Sequence, residues 1–168
     1  MQLEKVLHVE DDESIRMIVE MALVDLSGFT LLACENGADA IAQVEQFAPD
    51  LILLDAMMPG LDGLQTLVKI RENPKCHDIP VVFMTARIQQ AEKQQYFDAG
   101  AVAVIEKPFE ATSLGDELEA IYQQKINDLE ELKNKIARRV VDQRKAAAHR
   151  IANKFLTCSF CHCGKCAS

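Results

Sequence analysis

Five residues of this 168-residue chain stand where short aliphatic runs give way to polar chain. Glu10 and Asp11 follow KVLHV, Asp55 follows LILL, Thr85 follows VVFM, and Lys107 comes just after AVAVI. Carboxylates held together repel one another and raise one another's pKa unless a cation sits among them. Hard oxygen donors with an open water shell suit Mg²⁺. A hydroxyl and an ammonium can bind the oxygens of a group that the metal also holds. That set fits phosphoryl transfer, where catalysis is mostly positioning and charge neutralisation. Taken singly, each residue has an ordinary role. Acids after a strand satisfy a helix N-terminus, a threonine suits a strand edge, and Lys-Pro marks a turn. What favours the chemistry is that the fitting residue type follows the first, third, fourth and fifth runs in order.

The elements that would bring these residues together are legible in the hydrophobic pattern. Residues 5–9, 29–34, 51–54, 81–84 and 101–105 read as strands. Between them Ile15, Ile18, Val19, Ala22, Leu23 and Leu26 recur at helical spacing, as do Ala40, Ile41, Val44 and Phe47, and then Leu64, Leu67 and Val68. Ser14 is the expected cap of the first helix, and residues 89–99 form a more polar fourth helix. Five βα units predict an α/β fold, a five-stranded parallel, doubly wound sheet of (βα)5 type with helices on both faces. Strands buried on both faces should be continuously apolar, as LILL and VVFM are. Ligands in such folds sit beyond the carboxyl ends of the strands.

Charge divides the chain. Residues 1–111 hold 19 Asp and Glu against 8 Lys and Arg, whereas residues 112–168 hold 7 against 10. The first part should repel nucleic acid. No apolar run reaches the length of a membrane span, and the acidic N-terminus is unlike a signal peptide, so a cytoplasmic location is expected.

The segments VEDDESIR, LILLDAMMPGLDG, VVFMTA and VIEKPF resemble the signature elements of response-regulator receiver domains over about residues 3–122. The resemblance implies a flavodoxin-like fold and a two-component phosphoacceptor. Asp55 would be phosphorylated by a sensor histidine kinase or histidine phosphotransfer protein. It places Glu10, Asp11, Asp55 and the Met57 backbone carbonyl around Mg²⁺, and makes Thr85 the switch hydroxyl and Lys107 the phosphate-binding lysine. Asp12 is expected to face solvent, and the Lys107–Pro108 bond to be cis. Small Ala86 leaves room for the phosphoryl group. The family pattern also has a Tyr or Phe three residues before the lysine that moves with the threonine; here Val104 stands there. Met57 and Arg87 occupy positions that tune dephosphorylation, and bulky Met57 is expected to lengthen the phosphate lifetime.

Beyond residue 122 no DNA-binding or catalytic output domain is recognisable, so output through protein–protein contact with a downstream target is expected. Residues 123–156 read as a helical extension of the fifth helix. Leu118, Tyr122, Ile126, Leu129, Leu132, Ile136 and Val140 recur every three or four residues. Helical throughout, residues 112–156 would span ~65 Å at a rise of 1.5 Å per residue, and the stripe needs a partner. Residues 116–131 carry six acids and one base, and residues 133–154 eight bases and one acid. Acid meets base when two such helices pair antiparallel, so an antiparallel homodimer is expected; a free helix and a hairpin are the alternatives. Nucleic-acid binding by the basic half is less favoured because aromatics are not interleaved. His149 faintly resembles the phosphohistidine of phosphotransfer domains, but the surrounding chain does not complete that motif.

Residues 157–168 form a tail with Cys158, Cys161, Cys163 and Cys166. Two CxxC pairs suit Zn²⁺, yet a single residue separates them where zinc ribbons have a long loop; zinc, redox and disordered readings stay open. The competing functional class is a pseudo-receiver scaffold that assembles through the extension without phosphorylation. A scaffold has no need of the acidic pair, Asp55, Thr85 and Lys107 together.

Overall fold

The structure, a computed structural model, describes residues 2–86 and 90–159, with side chains described as far as Lys145 except those of Gln90 and Ala91. Arg87, and the side chains of His149, Cys158, Cys161, Cys163 and Cys166, lie outside what is described. The chain divides into two compact units, Met1–Ile126 and Asn127–Ser168.

In the first unit the strands are β1 (Lys5–Val9), β2 (Thr30–Cys34), β3 (Leu51–Asp55), β4 (Val81–Thr85) and β5 (Ala103–Glu106). The helices are α1 (Glu13–Glu20), which runs on into a π-helical stretch (Met21–Leu26), α2 (Gly37–Phe47), α3 (Gly63–Arg71), α4 (Gln90–Asp98) and the start of α5 (Leu114–Ser159). All strand pairs are parallel, in the order β2-β1-β3-β4-β5. The expected doubly wound sheet is the one found. After β2 the chain crosses back over β1 to lay down β3. The order therefore reverses between β1 and β3, and a crevice opens at their carboxyl ends.

Side chains alternate across the strands and sort the core into two layers. Leu7, Val9, Ile52, Leu54 and Phe83 pack with Ala40 and Val44 of α2, Leu67 and Ile70 of α3, and Tyr96 of α4. Val6, Leu51, Leu53 and Met84 pack on the opposite face with Val19, Leu23, Leu114, Leu118 and Tyr122. Every residue of β3 and β4 is buried, as two covered faces demand. Phe83 and Leu54 are fully enclosed, each contributing about 1.5–3 kcal/mol of transfer free energy.

Several boundaries differ from the sequence reading. Asp55 and Thr85 are themselves the last residues of β3 and β4, held in the ladder by backbone bonds. β5 starts at Ala103 because Gly100, at φ 96°, turns the chain out of α4 and residues 101–102 complete that turn. The cap of α1 is Asp12, not Ser14. Asp12 has extended backbone (φ −78°, ψ 115°), and its carboxylate accepts from the N–H groups of Ser14 and Ile15 at 2.8 and 3.2 Å. One carboxylate thereby satisfies two open donors of the first turn.

Two polar side chains away from the rim, His8 and Thr66, are fully buried. His8 of β1 is fully buried, and neither ring nitrogen meets a hydrogen-bond partner among the described residues. Burial, then the charges of Lys107 and Arg16, lower its pKa to about 3, so the ring is neutral at physiological pH.

In the second unit α5 presents Leu129, Leu132, Ile136, Val140 and Val141 as exposed side chains. Lys135 and Glu131 form an ion pair one turn apart at 3.5 Å, which contributes little at an exposed site. No helix of the described residues is long and apolar enough to cross a membrane.

Candidate functional site

The crevice between β1 and β3 collects the polar residues that follow the strands. Val9 pairs with Leu54, so Glu10 and Asp55 are the next residues along neighbouring strands. Thr85 is level with Glu106 across β4 and β5, and the Lys107 N–H donates to the Thr85 carbonyl at 2.8 Å. The Lys107–Pro108 bond is cis.

The turn after Asp55 depends on two glycines. Gly60 adopts φ 80°, open to glycine and strained for other residues. Gly63 opens α3 directly against the end of β3, and its N–H donates to the Ala56 carbonyl at 3.1 Å. A Cβ at Gly63 would lie 2.3 Å from the Asp55 carbonyl oxygen and 2.8 Å from the Phe83 ring. Asp62 and Gln65 form a reciprocal capping box that fixes the start of α3.

The charged groups are in direct contact. The Lys107 ammonium donates to Glu10 Oε2 at 2.5 Å and pairs with Asp55 Oδ1 at 3.2 Å. Glu10 is 1% exposed and Asp55 5%. Burial raises the Glu10 pKa; the Lys107 hydrogen bond opposes this and the neighbouring Asp55 charge adds to it. The Met57 N–H donates to Asp55 Oδ1 at 3.4 Å. One carboxylate oxygen from each of Glu10, Asp11 and Asp55 lies within 4.8 Å of the others, with Asp11 exposed and the other two buried. Three carboxylates and one ammonium leave a negative balance on hard oxygen donors, which fits a small divalent cation such as Mg²⁺.

Asp55, Thr85, Ala86 and Lys107 share a cleft of about 580 Å³ with Met57 and Tyr96. Of the residues singled out in the sequence, Glu10, Asp11, Asp55 and Lys107 converge, and Thr85 lines the same cleft. Met57 stands at the rim with its residue 74% exposed. Val104 packs into the apolar cluster that contains Phe83 and Tyr96.

Two contributors escaped the sequence reading. Arg16 of α1 donates from one guanidinium nitrogen to the carbonyls of both Glu10 and Asp11, each at 2.8 Å, and pairs with Glu35 at 3.6 Å. It pins the backbone of the acidic pair. An arginine on the polar side of an amphipathic helix reads as solvated, so no local signal marked it. Tyr96 lines the same cleft with its ring stacked on Phe83, centroids 4.6 Å apart, a contact that only the packing of α4 creates.

Lys107→Met removes the ammonium and leaves two buried carboxylates facing each other. Stability at neutral pH without divalent cation should fall by about 3 kcal/mol. Loss of Lys107 raises the Glu10 pKa further. A carboxyl with a folded pKa above its unfolded value stabilises the fold as pH falls through the folded value. Urea denaturation should therefore show the deficit shrinking as pH falls from neutral toward the ordinary glutamate value of 4.5. A deficit independent of pH would reject this pairing.

Residues 6–119 match the family model of the response regulator receiver domain. Over 115 residues the chain is 36% identical to Response regulator Rre1 of Synechocystis, covering 68% of this chain and 48% of that protein. It is 34% identical over 116 residues to the phosphate regulon transcriptional regulatory protein PhoB of Pseudomonas aeruginosa, covering 69% of this chain and 50% of that one. The chain thus spans about half the length of these curated relatives. Among solved structures, chemotaxis protein CheY4 of Vibrio cholerae superposes with a TM-score of 0.67 at 28% identity, over 71% of this chain and 98% of that one. The match covers both the sheet and the residues at its carboxyl rim, and the chain belongs to the response-regulator receiver family.

Proposed function

We propose that the chain is a cytoplasmic, stoichiometric phosphoacceptor. It takes a phosphoryl group on Asp55 from the phosphohistidine of a sensor histidine kinase or phosphotransfer protein. The observation that carries this reading is the Lys107 ammonium touching both Glu10 and Asp55 at the mouth of a cleft lined by Thr85. An Asp55 carboxylate oxygen forms a bond to phosphorus as the phosphorus–nitrogen bond of the donor breaks and its electrons return to the imidazole. Lys107 balances charge on the phosphoryl oxygens, and the Thr85 hydroxyl donates to one of them. Glu10, Asp11, Asp55 and the Met57 carbonyl would hold Mg²⁺, which when bound supplies further charge neutralisation. Phosphorylation then shifts a two-state equilibrium that a downstream protein reads. Residues 1–122 form the receiver on this reading, and residues 123–156 the helical extension.

Incubation with Mg²⁺ and acetyl phosphate should add one phosphoryl group by mass, and Asp55→Ala should abolish the addition. No Mg²⁺-dependent modification, or one that survives Asp55→Ala, would favour the scaffold reading. In the same assay Met57→Asn should lose the phosphoryl group faster than the parent, because an amide replaces the apolar side chain at the rim. An equal rate removes Met57 from the lifetime.

The exposed apolar side chains of α5 and the acid-then-base order of its charges support a second element, an antiparallel homodimer through residues 112–156. Light scattering at low salt should give twice the chain mass, with dissociation as salt screens the charge pairs. A monomer at high concentration and low salt would exclude it.

A further inference from the structure

Past the end of β3 the chain still alternates between interior and surface. Ala56 and Met58 are buried, and the Ala56 N–H donates to the Met84 carbonyl at 2.9 Å. Met57, between them, is 74% exposed. Its backbone is tied to the site, with the N–H on Asp55 Oδ1 at 3.4 Å, while its side chain adds nothing to the core. Met57 nevertheless lines the cleft with Asp55, Thr85 and Lys107. Beside the Tyr96 ring, the apolar side chains that line it are Ile15, Met57 and Ala86.

Exposure sorts the described methionines into two groups. Met58 and Met84 are buried, whereas Met17 of α1 and Met21 of the π-helical stretch are 60% and 47% exposed, and Met57 more than either. Of the three exposed ones, Met57 alone lines the cleft. A peroxide gives one oxygen to a thioether that it can reach. The sulfur–oxygen bond forms as the oxygen–oxygen bond breaks, the sulfur gives up two electrons, and the other oxygen leaves as water. The sulfoxide is polar and accepts hydrogen bonds, which disrupts a core. At Met57 the core is not involved, so the change falls on what faces the cleft.

An aspartyl phosphate is lost when water attacks the phosphorus. The water oxygen bonds to phosphorus as the bond to the Asp55 oxygen breaks, the carboxylate recovers its electron pair, and both water protons leave on the inorganic phosphate. The thioether of Met57 offers that water no more than a weak acceptor. A sulfoxide oxygen in its place accepts from the water and holds it at the rim. We propose that Met57 is an oxidation site for peroxides, and that its sulfoxide shortens the lifetime of a phosphoryl group on Asp55. The proposal rests on the phosphoacceptor reading and gives that site a redox input.

The test uses the full chain carrying Met17→Leu and Met21→Leu. Hydrogen peroxide is followed by a thiol reductant, which reverses cysteine disulfides, and peptide masses locate the added oxygen. The chain is then phosphorylated with Mg²⁺ and acetyl phosphate, the donor is removed, and phosphoryl loss is followed by intact mass. Peroxide should speed that loss about two- to tenfold, the worth of one hydrogen bond to the attacking water, with the denaturation midpoint unchanged. Methionine sulfoxide reductases for both epimers should restore the slow rate, which the thiol reductant alone does not. In a chain that also carries Met57→Leu, with the same cysteines, treated and untreated samples should lose phosphate at one rate. Unchanged or slower loss from the Met57 sulfoxide overturns the proposal, as does an equal acceleration in the Met57→Leu chain. So does a Met57 that stays unoxidised under peroxide that oxidises Met17 and Met21 of the parent. Failure of the untreated chain to take up a phosphoryl group would sink the phosphoacceptor reading and this one with it. An untreated chain that is phosphorylated, beside a sulfoxide without effect, removes Met57 oxidation alone.

Discussion

Two carboxylates that water scarcely reaches, Glu10 and Asp55, face one ammonium, that of Lys107, at the carboxyl rim of the sheet. Burying such groups is unfavourable unless each charge has its counter-charge at hydrogen-bond distance. The three side chains come from the ends of β1, β3 and β5, so the sheet must hold all three strands in register for the charges to balance. The same contact leaves the centre poised. Glu10 is easier to protonate than an ordinary glutamate, and the surplus of negative charge welcomes a further cation. Charge that is hard to bury is also charge that is ready to react.

Much of the surrounding architecture serves this contact. The strand order reverses between β1 and β3, which opens the crevice. Arg16 pins the carbonyls of the acidic pair, while Asp12 turns outward to cap α1. Glycine at position 63 lets α3 start against the end of β3, where a single methyl group would strike the Asp55 carbonyl. Phe83 provides a floor for Tyr96, and through it α4 reaches the cleft that Thr85 lines. The second unit follows another logic. Its helix exposes apolar side chains that no described residue covers, and its charge is ordered along the axis rather than gathered at a point.

The parallel sheet was legible because burial on both faces leaves strands with uninterrupted aliphatic runs, a signal as local as the strand itself. Asp55, Thr85 and Lys107 were legible for a related reason: a polar residue that ends such a run has nowhere to go but the rim. Boundaries were less so. Ser14 and Asp12 are both good caps by type, and only the backbone decides which one has the extended conformation that lets its side chain reach back. His8 shows the limit from the other side, since its neutral state in the core depends on burial and on the charges of Lys107 and Arg16, distant in sequence or on another element.

The order of residue types along the chain by itself determined the fold class, the family and the set of groups at the strand ends, because each is written in a run of adjacent residues. Tertiary structure alone decided which of those groups touch, how deeply each is buried, and that Arg16 and Tyr96 join them. These are contacts between elements whose sequence positions carry no mark of one another. Tyr96 joins the cleft that Thr85 lines only because β4 presents a ring for α4 to stack upon.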